Sequence, residues 1–139
     1  MAWLCVAGAG TGWLADLLVA KQRALDVPVH YRSGRTPAKA VIPALEAAGV
    51  RLEPMSAVDY AAGCGRLDAL MRDGGLRHRG DPRLTDGLER VVRKPGPDKT
   101  WVMTWSGTTG DASTAMALPI ALRALDGAPP AYDLDASVL

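Results

Sequence analysis

Three kinds of residue in this 139-residue sequence could do chemistry: a glycine-rich turn near the start, a basic stretch in the middle, and scattered carboxylates beside turns. The turn, Gly8-Ala9-Gly10-Thr11-Gly12, follows a short apolar run and precedes a helical pattern, the setting in which backbone N–H groups cradle a pyrophosphate. Its spacing departs from the dinucleotide fingerprint. The third glycine would fall at position 13, which is Trp13, and no acid closes the following strand to hold a ribose. No Gly-Lys-Ser or Gly-Lys-Thr occurs, which excludes a phosphate-binding loop of that type. The segment therefore reads first as a plain turn, no cofactor-binding residue is assigned, and a small nucleotide-binding α/β protein stays as an alternative resting on this turn alone.

The basic stretch holds Arg77, Arg79, Arg83, Arg90, Arg93, Lys94 and Lys99, with His78 among them. Such residues can follow a DNA backbone by contacting phosphates. Asp81, Asp86, Glu89 and Asp98 interleave with them, so a solvated surface is the competing reading. With 16 basic against 15 acidic residues the net charge is +1, and a nucleic-acid role would need a local basic face rather than overall charge. His30 and His78 have no partner at metal-ligand spacing and no nucleophile pattern nearby, which makes a structural role the simpler one for each. Cys5 and Cys64 lack the paired spacing of a disulfide framework or a zinc site, in keeping with a reducing cytoplasm.

The elements that must position these residues follow from periodicity. Residues 4–7 read as an opening strand rather than an export signal, having no basic lead. Leu14, Leu17, Leu18 and Leu25 recur at helical spacing, with Asp16 in the first turn. Residues 27–31 predict a second strand, interrupted early by Pro28 and left through Ser33-Gly34-Arg35-Thr36. Thr36 and Pro37 then open a helix with Ala38, Val41, Ile42 and Leu45 on one face, Pro43 as a bend, and Gly49 as its stop. A third short strand over residues 50–53 precedes Ser56 and Asp59, spaced like a capping box, for a helix burying Tyr60, Cys64, Leu67 and Met71. Asp81-Pro82 opens another helix with Leu84, Leu88, Val91 and Val92 inward, stopped by Lys94-Pro95-Gly96-Pro97. Trp101-Val102-Met103-Thr104-Trp105 alternates like a strand with both tryptophans and Met103 on one face. Asp111 heads a last helix carrying Ala115, Leu118, Leu122 and Leu125, with Pro119 as a kink. Alternating strands and helices argue for one α/β domain with parallel neighbours. Hydrophobic residues at 48% and charged residues at 22% fit a globular chain, and no apolar run is long enough to span a bilayer.

Four stretches occur in an order that matters: Ser33-Gly34-Arg35-Thr36-Pro37-Ala38, Tyr60-Ala61-Ala62-Gly63-Cys64-Gly65, Leu76-Arg77-His78-Arg79-Gly80-Asp81-Pro82-Arg83-Leu84, and the segment from Trp101 to Asp111-Ala112-Ser113. In order and approximate spacing they resemble the nuclease domain of the terminase large subunit, the DNA-packaging motor of phages infecting actinobacteria, from its third strand onward. The resemblance covers nearly the whole chain. It implies a ribonuclease-H-like mixed sheet flanked by helices over residues 1–127, lacking the first strands, with residues 128–139 as a C-terminal tail. It implies a phage hydrolase of the bacterial host cytoplasm, an endonuclease cutting double-stranded DNA with Mg or Mn.

Phosphodiester hydrolysis of that kind uses two hard cations about 4 Å apart, and hard cations want several converging carboxylates. By the resemblance, Asp111 is the catalytic and metal-ligating acid at the head of the last helix, where an ordinary N-cap is the alternative. The position of the second acid, four residues before Pro37, holds Ser33, whose neutral hydroxyl is a weak ligand. The first would stand upstream of Met1. Asp16 is a weaker metal candidate, and Asp26 and Asp98 precede strands at the wrong end of the sheet. Arg35, Arg77, Arg79, Arg83, Arg93, Lys94 and Lys99 would face DNA. The expectation is a module incomplete by itself, partnered by the rest of a split terminase or another packaging protein, and prone to self-association because a missing central strand leaves edges unpaired. The rival expectation is a non-catalytic DNA- or partner-binding module of phage origin.

Overall fold

The computed structural model describes residues 12–34, 37–105 and 110–127. The opening run at residues 4–7, most of the glycine turn, Arg35 and the tail lie outside them. The described chain is a mixed α/β structure of five α-helices, one parallel strand pair and one antiparallel pair. None of its helices is long and apolar enough to cross a membrane.

Helix α1 (Leu14–Leu25) leads to strand β1 (Val29–Arg32), whose first ladder bond, Val29 N–H to the Arg51 carbonyl at 2.9 Å, comes just after Pro28. Pro28 has no N–H to donate, and the strand begins directly after it, two residues later than its apolar run suggests. Strand β2 (Leu52–Met55) runs parallel to β1 with Val29 opposite Leu52 and Arg32 opposite Met55. The Gln22 side chain ties α1 to this pair, donating to the Arg51 carbonyl at 2.7 Å and accepting from the Arg51 N–H at 2.9 Å.

Between β1 and β2 the expected single helix is broken in two. Pro37–Ala40 is a 3-10 turn, and α2 (Ile42–Ala47) begins afresh with Pro43 in its first turn, where the missing N–H is harmless. Pro43 thus starts a helix instead of bending one. Gly49 ends it at φ +81°, with Val50 N–H bonding back to Leu45 and Gly49 N–H to Glu46, a Schellman closure that needs a left-handed residue.

Helix α3 (Ala57–Arg72) is capped as its sequence indicates, Ser56 Oγ accepting from Asp59 N–H at 3.1 Å. It buries Tyr60, Ala61, Cys64 and Leu67, but Met71 is 50% exposed, because the apolar stripe turns away from the core one turn before the helix ends. Helix α4 (Pro82–Arg90) is capped by Asp81, which accepts from Arg83 N–H at 2.9 Å. It stops at Arg90, short of expectation. Val92 lies instead in strand β3 (Val92–Pro95), exposed throughout, and pairs antiparallel with β4 (Trp101–Thr104). The Pro-Gly-Pro segment is the turn of a hairpin, not the end of a helix. In β4 the adjacent Val102 and Met103, on opposite faces by alternation, are both buried.

Helix α5 (Ser113–Asp126) runs on through a fully buried Pro119 and packs on α3, α4 and β1. The α3 crossing is backbone against backbone: a methyl at Gly63 would sit 2.8 Å from the Pro119 carbonyl carbon. Tyr60, Cys64, Leu67, Leu84, Met103, Ala115 and Leu118 close one core around that crossing. Two α3 side chains also seal the free edge of β4. Tyr60 Oη donates to the Met103 carbonyl at 2.8 Å, and the Met103 N–H donates to Cys64 Sγ at 3.3 Å. Burial pushes both the Tyr60 hydroxyl and the Cys64 thiol above their ordinary pKa, so each stays neutral and serves as a structural hydrogen-bonding group.

Candidate functional site

Asp111 sits two residues before α5, exposed, with Oδ1 accepting the Ser113 N–H at 2.8 Å. Hydrogen bonds from the Ser113 backbone and side chain hold its carboxyl below the usual carboxylate value. The residue therefore enters α5 as a charged, exposed acid that is also a local anchor for the helix start. Both expected roles remain chemically open to it.

Ser33 follows β1, and its N–H and its Oγ both donate to the Met55 carbonyl, each at 2.9 Å. The hydroxyl thereby closes the end of the β1–β2 ladder with its proton. Asp16 is exposed in the first turn of α1, where a negative charge suits the helix N-terminus. Asp26 carries the left-handed C-cap of α1 and pairs with Arg51 at 2.9 Å, while Asp98 lies in the β3–β4 turn. Among the described residues no group of three or more His, Cys, Asp or Glu is placed to hold a metal ion. One carboxylate and one committed hydroxyl do not fit a pair of divalent cations, whose charge calls for several converging oxygens.

The described residues expected to face DNA divide into two sets. Arg83 grips Asp81 through two hydrogen bonds, 3.0 Å to Oδ1 and 2.6 Å to Oδ2. Arg93 pairs with Asp68 of α3 and lies over the Trp101 ring, 4.0 Å from its centroid, and Asp68 also takes Arg72. These arginines are occupied. Arg77 and Arg79, in the loop entering α4, and Lys94 and Lys99, on the hairpin, are exposed, and their side chains have no ion pair or hydrogen bond among the described residues.

No family model, curated protein or solved structure matches the chain.

Sequence reasoning missed the Asp68, Arg72, Arg93 and Trp101 cluster, which joins α3 to the hairpin across 25 residues between Arg93 and Asp68. It also missed that the hairpin tip is left-handed at both Asp98, φ 52°, and Lys99, φ 61°. The Gly96-Pro97-Asp98 string, a strong turn signal, could have revealed the hairpin had it not been read as a helix stop.

Proposed function

We propose that this chain is a nuclease-type module of a phage terminase large subunit, of ribonuclease-H-like ancestry, that grips double-stranded DNA and cannot cut it unaided. The observation that carries the reading is the position of Asp111. It is an exposed, charged acid at the entry to a helix packed on the strand-bearing core, in the slot where the resembled family keeps a metal ligand. The ordered motifs at residues 33–38, 60–65, 76–84 and 101–113 support the same ancestry, as does the alternation of strands and helices.

The donor set limits what the module does alone. Mg or Mn would be held only where another polypeptide, such as the remainder of a split terminase, adds carboxylates to Asp111. Self-association or docking on such a partner follows from the same reading. The test is plasmid cleavage with manganese by the chain alone, by its Asp111→Ala variant, and by each mixed with neighbouring phage packaging proteins. The reading expects cutting only in the mixture, and only with Asp111 intact. Partner-dependent cutting that survives Asp111→Ala would refute it.

A second reading, a non-catalytic DNA- or partner-binding module of phage origin, is favoured by Ser33. Its hydroxyl is spent on the Met55 carbonyl, a structural duty at the position where catalysis would want a charge.

A further inference from the structure

We infer that this chain contacts phosphates through Lys94 on the exposed strand β3 and Lys99 at the hairpin tip, with Arg77 and Arg79 of the exposed loop entering α4 as further cations free of internal ion pairs, and that Arg83 and Arg93 take no part. This deepens the DNA-binding half of the reading above and is independent of any nuclease ancestry.

Three observations carry it. First, cations already paired inside the protein gain little from a phosphate, because the internal carboxylate must be given up. Arg83 is held by Asp81, and Arg93 by Asp68 and the Trp101 face. The four named residues have no such partner among the described residues.

Second, strand β3 has a held side and a presented side. Side chains alternate along a strand, so Arg93, anchored on α3 through Asp68, turns its face of β3 inward. Lys94 belongs to the opposite face, and all of β3 is exposed. The anchored arginine acts as a positioning residue that braces the hairpin.

Third, Lys99 occupies a left-handed backbone position, φ 61°, in a turn closed by Thr100 N–H to the Pro97 carbonyl at 3.0 Å. Such positions favour glycine or asparagine, and a lysine there is strained. Asp98 beside it tolerates the conformation better. At this exposed tip the charge stands where glycine would be more stable, which fits a position that serves a contact with a polyanion. Duplex DNA is favoured over a lipid surface, since membrane docking wants an apolar face beside the cations, and Val92 is the one large exposed hydrophobic of the hairpin. The acids interleaved with these cations in the sequence, Asp73, Asp86, Glu89 and Asp98, keep the local net charge modest.

The experiment is fluorescence anisotropy of a labelled mixed-sequence DNA duplex with the full chain over a salt series. Lys94→Ala with Lys99→Gly should flatten the slope of log affinity against log salt by about 2, near one for each phosphate that the protein ceases to neutralise. Arg83→Ala should leave the slope unchanged. Lys99→Gly alone should weaken binding while raising the melting temperature, which separates a weaker grip from a weaker fold. If wild type binds duplex and the hairpin variants keep its slope, or Arg83→Ala flattens it, this assignment fails while DNA binding stands. If wild type binds no duplex, or binds only phosphatidylserine vesicles or polyglutamate, the DNA reading fails with it.

Discussion

Replacing Gly63 with alanine puts a methyl group where two helices already touch. Built on the existing backbone, that Cβ lies 2.8 Å from the Pro119 carbonyl carbon and 3.2 Å from its Cα, and nearer still to the carbonyl oxygen. No flexible side chain can swing aside, since the obstacle is the backbone of α5. Either α3 and α5 move apart, opening the core around Tyr60, Cys64 and Leu118, or the carbonyl bends out of line. Overpacking a tight core costs roughly 1–3 kcal/mol, and a backbone collision belongs at or above the upper end, about 3 kcal/mol. At roughly 4 °C per kcal/mol for a domain of this size, the melting temperature should fall by about 12 °C. Gly65 supplies the opposite control. It lies on the same helix, exposed and with open space around its Cα, so Gly65→Ala should stabilise by about 0.5–1 kcal/mol through the helix preference of alanine alone. Urea titrations followed by far-ultraviolet circular dichroism measure both. A Gly63→Ala midpoint at or above that of wild type would refute the proposed crossing of α3 and α5.

Two further outcomes follow from the same packing. Tyr60→Phe removes the hydroxyl that serves the Met103 carbonyl and leaves a buried acceptor without it, so stability should drop by about 1–2 kcal/mol, seen as a lower urea midpoint at unchanged slope. Asp59 is held below its ordinary pKa of 3.8 by hydrogen bonds from Arg123 and Ser56. A carboxyl depressed by folding contributes stability above its unfolded pKa and loses it as pH falls through the folded one. Asp59→Asn should therefore be less stable than wild type at neutral pH, and the gap should close as the pH drops below about 4. A gap that widens on acidification, in melting curves across pH, would reverse the sign of this argument.

What was legible in the sequence is what the chain decides locally. The caps at Ser56 and Asp81 and the stop at Gly49 stand where turn chemistry puts them, because each is settled within a few residues. Strand β3 was not legible. Val91 and Val92 continue the helical stripe of Leu84 and Leu88, and only pairing with β4, which lies beyond the turn, makes Val92 a strand residue. The broken helix before β2 failed for a similar reason: apolar spacing ran through Pro43, whereas the backbone restarts there. At the candidate site, the family resemblance pointed to Asp111 and Ser33, but the Ser33 bond to Met55 spans 22 residues and belongs to the tertiary structure. The division of the arginines has the same origin, since Asp68 reaches Arg93 only once α3 lies against the hairpin.

Manganese titration of the isolated chain by calorimetry tests the electrostatic claim most directly. If Asp111 is the one acid this chain brings to the proposed metal centre, no more than a single weak site per chain is expected, abolished by Asp111→Ala. Two manganese ions bound tightly by the lone polypeptide would contradict it.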